Sequence, residues 1–382
     1  MQKLFSIAVT SLMSLATPLL VHGQIQHPIL PIASKAPAFA LPGVDGTIHK
    51  LSDYDKARVL VVIFTCDHCP IAQMYESRIE KLYEDYKNRG VAVVAIEGND
   101  PKATVIDELD SSDVGDTLAE MKIRVQYKHL HYPYLYDGDT QAVTRAYGPQ
   151  ATPHVFIFDQ NRRLRYEGRF DNSFRIEKVA THDAQNAIDE LLAGEPVKVT
   201  HTAVFGCATK WAEKKALVAE YYEKRDAAPV AVSMVDAAGL KKLRANSGDK
   251  YTLVDFWATW CSSCIAEFAD LQNSFLMYSD RSLNLVTVSV NSPDEKQGVL
   301  RFLQKHHATS ENLLFDSDDA ARLQAAFDPE WQSAVPYTIL LGPNGKVLYK
   351  SLGSVDILQL RRKILAAVPS DYVGFNKYWK EQ

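Results

Sequence analysis

Short apolar runs and segments of helical period follow one another along this chain in an order that repeats. Residues 58–65, RVLVVIFT, form a β-branched apolar run of the kind a buried strand of a parallel sheet requires. A segment of helical period follows from Ile71 to Asn88, then a second buried run, VAVVAIEG. The order returns later as TLVDFWAT, a helical stretch through Met277, and LNLVTVSV. Each unit next passes through a turn, Asn99-Asp100-Pro101 in one and Asn291-Ser292-Pro293 in the other. Further on, Pro153 precedes HVFIFD and Pro336 precedes YTILLG. Hairpin turns follow at Gln160-Asn161 and Asn344-Gly345, and Tyr166 and Tyr349 both lie 13 residues beyond their proline. The pattern predicts an α/β fold twice over, each copy a mixed central sheet flanked by helices.

The first residues carry a different pattern. Lys3 precedes a mostly apolar run, Leu4 to Val21, and Val21-His22-Gly23 places small residues near a cleavage point before Gln24. That is the layout of a secretory signal peptide over 1–23. Ser6, Thr10, Ser11, Ser14, Thr17 and Pro18 make the run weak as a permanent span, and no later stretch is long enough to cross a bilayer. The expected mature protein is exported, periplasmic in a Gram-negative cell and otherwise extracytoplasmic, with no stable membrane span. The repeat then predicts a first domain at 28–175, a helical bridge at 176–229, a second domain at 230–370 and a polar tail at 371–382. Within the bridge the pattern predicts one helix over Asp183–Ala193 and an amphipathic helix from near Thr209.

Composition narrows the chemistry. Of 382 residues 46% are hydrophobic and 23% charged, which excludes disordered and fibrous classes, and a net charge of −5 offers no basic face for nucleic acid. Five cysteines are too few for a disulfide-stapled scaffold, yet four form two tight Cys-x-x-Cys pairs: Cys66 with Cys69, and Cys261 with Cys264. Each stands between a predicted buried strand and a predicted helix. The gap between the pairs is far wider than zinc ribbon or finger spacings, and neither pair is followed by a haem-attaching His, so no metal or other cofactor is expected.

The second half, VDFWATWCSSC with the later Val335-Pro336, resembles thioredoxin. Glu267 extends this to the Cys-x-x-Cys-x-x-Glu pattern of the TlpA/ResA-like exported thioredoxins. The first half resembles redoxin-type thioredoxin-like proteins of the AhpC/TSA superfamily, through APAFALPGVDGTIHKLSDY, CDHCP and GPQATPHVFIFD. The resemblance implies two thioredoxin-like domains in tandem and a protein thiol–disulfide oxidoreductase acting on protein thiols and disulfides, served by a redox recharging partner. It also implies a cis bond before Pro153 and before Pro336, with Thr152 and Val335 beside the attacking sulfur to pair with substrate. Trp260 belongs to the same segment and is assigned to substrate binding. Asp255, six residues before Cys261, matches the family's buried acid, which takes the proton of the resolving thiol, and Glu267 shares that task. The residue six before Cys66 is Leu60, so the first domain lacks the acid.

Physical chemistry assigns the sulfur roles. A helix N-terminus favours a thiolate, so the first cysteine of each pair, Cys66 and Cys261, is expected to attack, and Cys69 and Cys264 to resolve the mixed disulfide. His68 is expected to stabilise the Cys66 thiolate and Asp67 to oppose it. His154 reads as a strand residue without chemistry. Cys207 is left unpaired by count. It reads either as a small buried apolar residue or as a relay or intermolecular thiol, since Gly206-Cys207 stands just before a predicted helix.

Two rivals to the oxidoreductase reading are a peroxiredoxin-like peroxidase in the first domain, recharged by the second, and a non-catalytic binding module. The peroxidase pattern of Pro and Thr/Ser seven and three residues before the reactive cysteine is absent: counting back gives Val59 and Ile63 from Cys66, and Val62 and Cys66 from Cys69. The two complete pairs oppose the binding module.

Overall fold

A computed structural model of the chain describes residues 27–371 and 375–380. The signal peptide expected over 1–23 lies outside the described residues. A hairpin of β1 (Ala40–Pro42) and β2 (Ile48–Lys50) leads into β3 (Val59–Thr65), α1 (Pro70–Tyr86), β4 (Val91–Glu97), α2 (Leu118–Lys128) and β5 (Tyr134–Tyr136). There follow α3 (Ala142–Tyr147), the two-residue β6 (Ala151–Thr152), β7 (His154–Phe158), β8 (Leu164–Gly168) and α4 (Asp183–Ala193). The sheet runs β5-β4-β3-β7-β8, with β3, β4 and β5 parallel and β7 and β8 antiparallel.

Every residue of β3 is buried, because helices cover both faces of this central strand. Alternate residues divide between two cores. Val59, Val61 and Ile63 pack with Tyr75 and Ile79 of α1, while Leu60, Val62 and Phe64 pack with Tyr147, Phe156 and Phe158.

After α4 come β9 (Cys207–Ala208) and α5 (Lys215–Asp226), and the second unit repeats the first. It comprises β10 (Ser233–Val235), α6 (Ala237–Ala245), β11 (Tyr251–Trp257), α7 (Ser262–Tyr278), β12 (Leu283–Ser289), α8 (Lys296–Lys305), β13 (Glu311–Phe315), α9 (Ala320–Phe327), β14 (Tyr337–Leu341), β15 (Val347–Leu352) and α10 (Ile357–Ala367). Its sheet is ordered β10-β13-β12-β11-β14-β15.

Three expectations about the connections need correcting. Helix α4 has the predicted bounds but belongs to the first domain, since Ala184, Ala187 and Ile188 are buried in the core of β3 and α1. The helix expected from Thr209 begins at Lys215, after a single 3-10 turn at Ala212–Lys214, because residues 207–211 are extended against the first domain. The expected polar tail contains α11 (Phe375–Lys380), whose Phe375 and Trp379 are buried beside α10 while Tyr127 of the first domain stacks on Trp379. Two aromatic residues one helical turn apart outweigh the polar composition around them.

The two units are locked together. The Tyr278 hydroxyl donates to the Ser112 carbonyl at 2.6 Å, and Arg362 Nε donates to the Asp113 carboxylate at 2.7 Å. The other oxygen of Asp113 lies 3.0 Å from Arg124, and both residues are fully buried. Among the described residues, no helix is long and apolar enough to cross a membrane.

Candidate active sites

In the second domain Cys261 caps α7 and is disulfide-bonded to Cys264. The Cys264 N–H donates to Cys261 Sγ at 3.2 Å, so the positive end of the helix faces the sulfur. The Val335–Pro336 bond is cis, and Val335 packs against the cluster containing Cys261, Cys264 and Trp257. Trp260 projects into solvent beside the pair, 64% exposed. Strand alternation puts Asp255 on the same face as Leu253 and Trp257, whose rings and branches meet Leu271 and Phe268 of α7. Burial pushes the Asp255 carboxyl up to about 7, against a hydrogen bond from Thr338 and with help from the nearby Glu267 charge. Burial also raises Glu267, whose Oε2 accepts the Val355 N–H at 2.9 Å while Oε1 is buried without a partner among the described residues.

The first domain differs from the sequence expectation in which cysteine holds the helix. Helix α1 starts at Pro70, and Cys69 is its cap, accepting from the Ala72 N–H at 3.5 Å. Strand register agrees. Phe64 pairs with His154 just after Pro153, as Phe256 pairs with Tyr337 just after Pro336. Cys69 therefore stands where Cys261 stands, Cys66 takes the place of Ala258, and Ala72 that of Cys264. Cys66, expected to attack, lies one turn short of the helix because the pair is offset by three residues between the halves. The counterpart of Asp255 is Ile63 rather than Leu60, and it too is apolar.

Electrostatics follow this register. Burial works against a thiolate at both sulfurs. At Cys69 it is outweighed by hydrogen bonds from the Cys207 and Cys66 thiols, the His68 charge and the Ala72 N–H, so this thiol is held well below its ordinary value. At Cys66, burial and the neighbouring Cys69, Asp116 and Glu97 charges push the thiol well up. His68 thus acts on Cys69, while its ring also lies within 4.8 Å of Cys66 Sγ. Its own pKa is raised despite burial by the Asp116 carboxylate, with which it forms a buried ion pair. Burial drives Asp67 far above the ordinary carboxyl range, which removes the opposition expected of it.

Several positioning residues carry no local sequence signal. Asp116 Oδ1 accepts the N–H groups of both Asp67 and His68 at 3.1 Å, and Asn99 donates to Asp116 Oδ2 at 3.2 Å. Arg124 and Gln73 donate to the Asp67 carbonyl at 3.2 and 2.6 Å. In the second domain Asn291 accepts the Thr259 N–H at 2.9 Å and donates to the Thr259 hydroxyl at 2.7 Å. Asn99 and Asn291 are the repeated turn residues, so comparison of the halves could have found them. Asp116 lies in a loop with no counterpart in the second half. His154, buried, donates to Glu167 Oε2 at 2.9 Å and stays a strand residue. Cys66, His68 and Asp116 bring donor atoms within 4.8 Å of one another, and two of the three are already engaged with each other as the His68–Asp116 pair.

The Thr152–Pro153 bond is cis. Thr152 Oγ1 lies 3.1 Å from Cys66 Sγ, and its carbonyl lies 3.7 Å from Cys69 Sγ. Cys207, on β9, pairs directly with Thr152.

The family comparison agrees with the doubling of the fold. The AhpC/TSA family matches the chain over residues 32–167 and again over 225–350. Sporulation thiol-disulfide oxidoreductase A of Bacillus subtilis is 28% identical over 144 residues, 37% of this chain and 83% of that protein. Thiol-disulfide oxidoreductase ResA of Geobacillus thermodenitrificans is 26% identical over 134 residues, 35% of this chain and 67% of its own length. Among solved structures, a hypothetical protein from Sinorhizobium meliloti is 32% identical, covering 48% of this chain and 97% of that one, with a TM-score of 0.43.

Proposed function

The chain belongs to the AhpC/TSA family, and we propose that it is an exported thiol–disulfide oxidoreductase that exchanges disulfides with protein substrates. The observation that carries the reading is the second-domain site. A cysteine pair at a helix N-terminus stands beside a cis-proline loop and an exposed tryptophan, with a buried carboxyl near neutrality behind it. The relatives are thiol–disulfide oxidoreductases, which supports the reaction class.

In this reading the Cys261 thiolate attacks a substrate disulfide and forms a mixed disulfide, and Cys264 displaces the substrate thiol as Asp255 takes the Cys264 proton. Trp260 and the Val335 backbone hold the substrate segment. A dithiol partner outside this chain returns the pair to its reduced state. The first-domain pair, with both sulfurs almost fully buried, serves as a second redox store.

Dithiol-driven insulin reduction by the full chain tests the proposal. Turnover should be lost in Cys261→Ser and persist, weakened, in Cys69→Ser. Unchanged turnover in Cys261→Ser would overturn the reading.

A further inference from the structure

The edge at which a thioredoxin-type site would receive an extended substrate is already occupied in the first domain. Strand β9 pairs antiparallel with β6, setting Cys207 opposite Thr152 and Ala208 opposite Ala151. Gly206 makes this approach possible: its φ is +146°, and a Cβ there would lie 2.0 Å from the Thr152 carbonyl oxygen. The covering segment is anchored along its length. Thr209 Oγ1 donates to the Pro149 carbonyl at 2.8 Å, and the Lys210 N–H donates to Asn99 Oδ1 at 2.8 Å. The Lys210 carbonyl accepts from the Asp100 N–H and from Gln141 Nε2, and the Lys210 ammonium pairs with Glu108. Trp211 stacks on His27 with centroids 3.6 Å apart.

This segment brings a third sulfur to the site. Cys207 packs on the cluster that contains Cys66 and Cys69, opposite Thr152, whose Oγ1 lies 3.1 Å from Cys66 Sγ and whose carbonyl lies 3.7 Å from Cys69 Sγ. Cys66 and Cys69 are 2% and 0% exposed, whereas Cys207 is only partly buried. Among the described residues the buried pair is almost closed to an external sulfur, and Cys207 is the thiol of the three most open to solvent.

We propose that Cys207 is the third redox cysteine of the first domain, the thiol through which electrons enter and leave the buried Cys66–Cys69 pair. The inference rests on the oxidoreductase reading and adds the route by which its buried pair is reached. Starting from a Cys66–Cys69 disulfide, the Cys207 thiolate attacks Cys69 Sγ. The Cys69–Cys207 bond forms, the Cys66–Cys69 bond breaks, and Cys66 leaves as a thiolate that takes the proton Cys207 gave up. A dithiol then attacks Cys207 Sγ from the solvent side and releases Cys69 as a thiolate. The second sulfur of the dithiol closes on the first, freeing Cys207. The dithiol is oxidised by two electrons and the Cys66–Cys69 pair reduced by two. Held opposite Thr152 by strand pairing, beside the Cys66–Cys69 pair, Cys207 reacts as an intramolecular nucleophile.

Two measurements on the full chain test this. First, Cys66→Ser is oxidised with glutathione disulfide and its disulfides mapped by peptide mass spectrometry; a Cys69–Cys207 bond is expected, and its absence overturns the proposal. Second, dithiothreitol reduction of the Cys66–Cys69 disulfide is followed in the natural chain and in Cys207→Ser. The Cys207 variant should slow this at least ~10-fold while the Cys261–Cys264 pair, measured in the same sample, is reduced at its usual rate. That second pair reports folding, and the measurement needs no change at Cys66. An unchanged rate at the first pair overturns the proposal. Neither measurement involves a protein substrate, so failure here is distinct from failure of insulin reduction.

Discussion

Cys69 stands in the first domain where Cys261 stands in the second: each caps a 17-residue helix, four residues beyond the last residue of the central strand. Two domains with the same strand register have placed their cysteine pairs three residues apart. In the second domain the partner sulfur, Cys264, lies inside the first turn of the helix. In the first, Cys66 lies before the helix, and a third sulfur arrives from another segment.

That register sets which sulfur carries charge. Cys69 should be a thiolate at pH values where Cys66 and Cys207 are still thiols, because its pKa is lowered and theirs are raised. The ultraviolet absorbance of the thiolate reads this without requiring access to the buried site. In a pH titration of the reduced protein, the first-domain thiolate signal that forms at the lowest pH should vanish in Cys69→Ser and persist in Cys66→Ser. The reverse pattern would restore Cys66 as the attacking group.

Asp255 should couple pH to both stability and exchange. Its folded-state pKa of about 7 lies above the unfolded value. The folded protein therefore binds the proton more tightly, and this contribution is full below roughly pH 4 and is lost as pH rises towards 7. The buried carboxylate then costs on the order of 4 kcal/mol relative to the neutral acid. Asp255→Asn keeps an acceptor for the Thr338 hydroxyl and has no charge to bury. Its melting temperature should exceed that of the natural protein at pH 8 and match it near pH 4, while resolution of the mixed disulfide at neutral pH slows ~100-fold. Equal melting curves at pH 8 would show that Asp255 is not near neutrality.

The Asp113 carboxylate should be a main lock between the domains. It sits between buried Arg124, at 3.0 Å, and Arg362, at 2.7 Å, and Arg124 continues to the carbonyl of Asp67 in the active-site loop. Removing the anion leaves a buried guanidinium without its charge partner, a loss of about 3–5 kcal/mol. Denaturant unfolding of Asp113→Ala should show that loss, with Asp113→Asn intermediate. A change below ~1 kcal/mol would place the pair among weak surface bridges.

The strands, the main helices and the doubling of the fold were legible because buried runs such as 58–65 and 251–257 can be satisfied in few ways. The offset of the cysteine pairs was not. Both pairs follow a buried strand, and nothing in CDHCP states that the helix begins after its second cysteine rather than its first. Pro70 was the available clue, since proline favours the first position of a helix and so marks Cys69 as the cap. Asp116 and Arg124 reach the active-site loop from distant segments through contacts that only the folded chain creates. The placement of Cys207 depends likewise on a strand pairing of two residues, too short to leave a periodic signal.

The two pairs should differ in reduction potential, with the first domain the more oxidising. Whatever stabilises the reduced thiolate raises the potential of a dithiol–disulfide couple. Cys69 has two thiol donors, the Ala72 N–H and the His68 charge, whereas Cys261 has the Cys264 N–H and the Ser263 hydroxyl at 3.4 Å. Asp116 neutralises much of the His68 charge, so the first couple should fall short of the strongest oxidants at roughly −120 mV, with the second nearer roughly −270 mV. A separation of only ~30 mV already corresponds to about 1.4 kcal/mol, well within reach of the donors counted. Electrons then run from the second domain to the first. Cys261 lies about 26 Å along α7 from Tyr278, whose hydroxyl touches the loop before α2. Exchange between the pairs should therefore proceed largely between molecules, at a rate that rises with protein concentration. Glutathione titration of the full chain, with one pair at a time replaced by serine, gives the two potentials. Equal values, or a more reducing first pair, would overturn both the assignment of donors to Cys69 and the direction of flow.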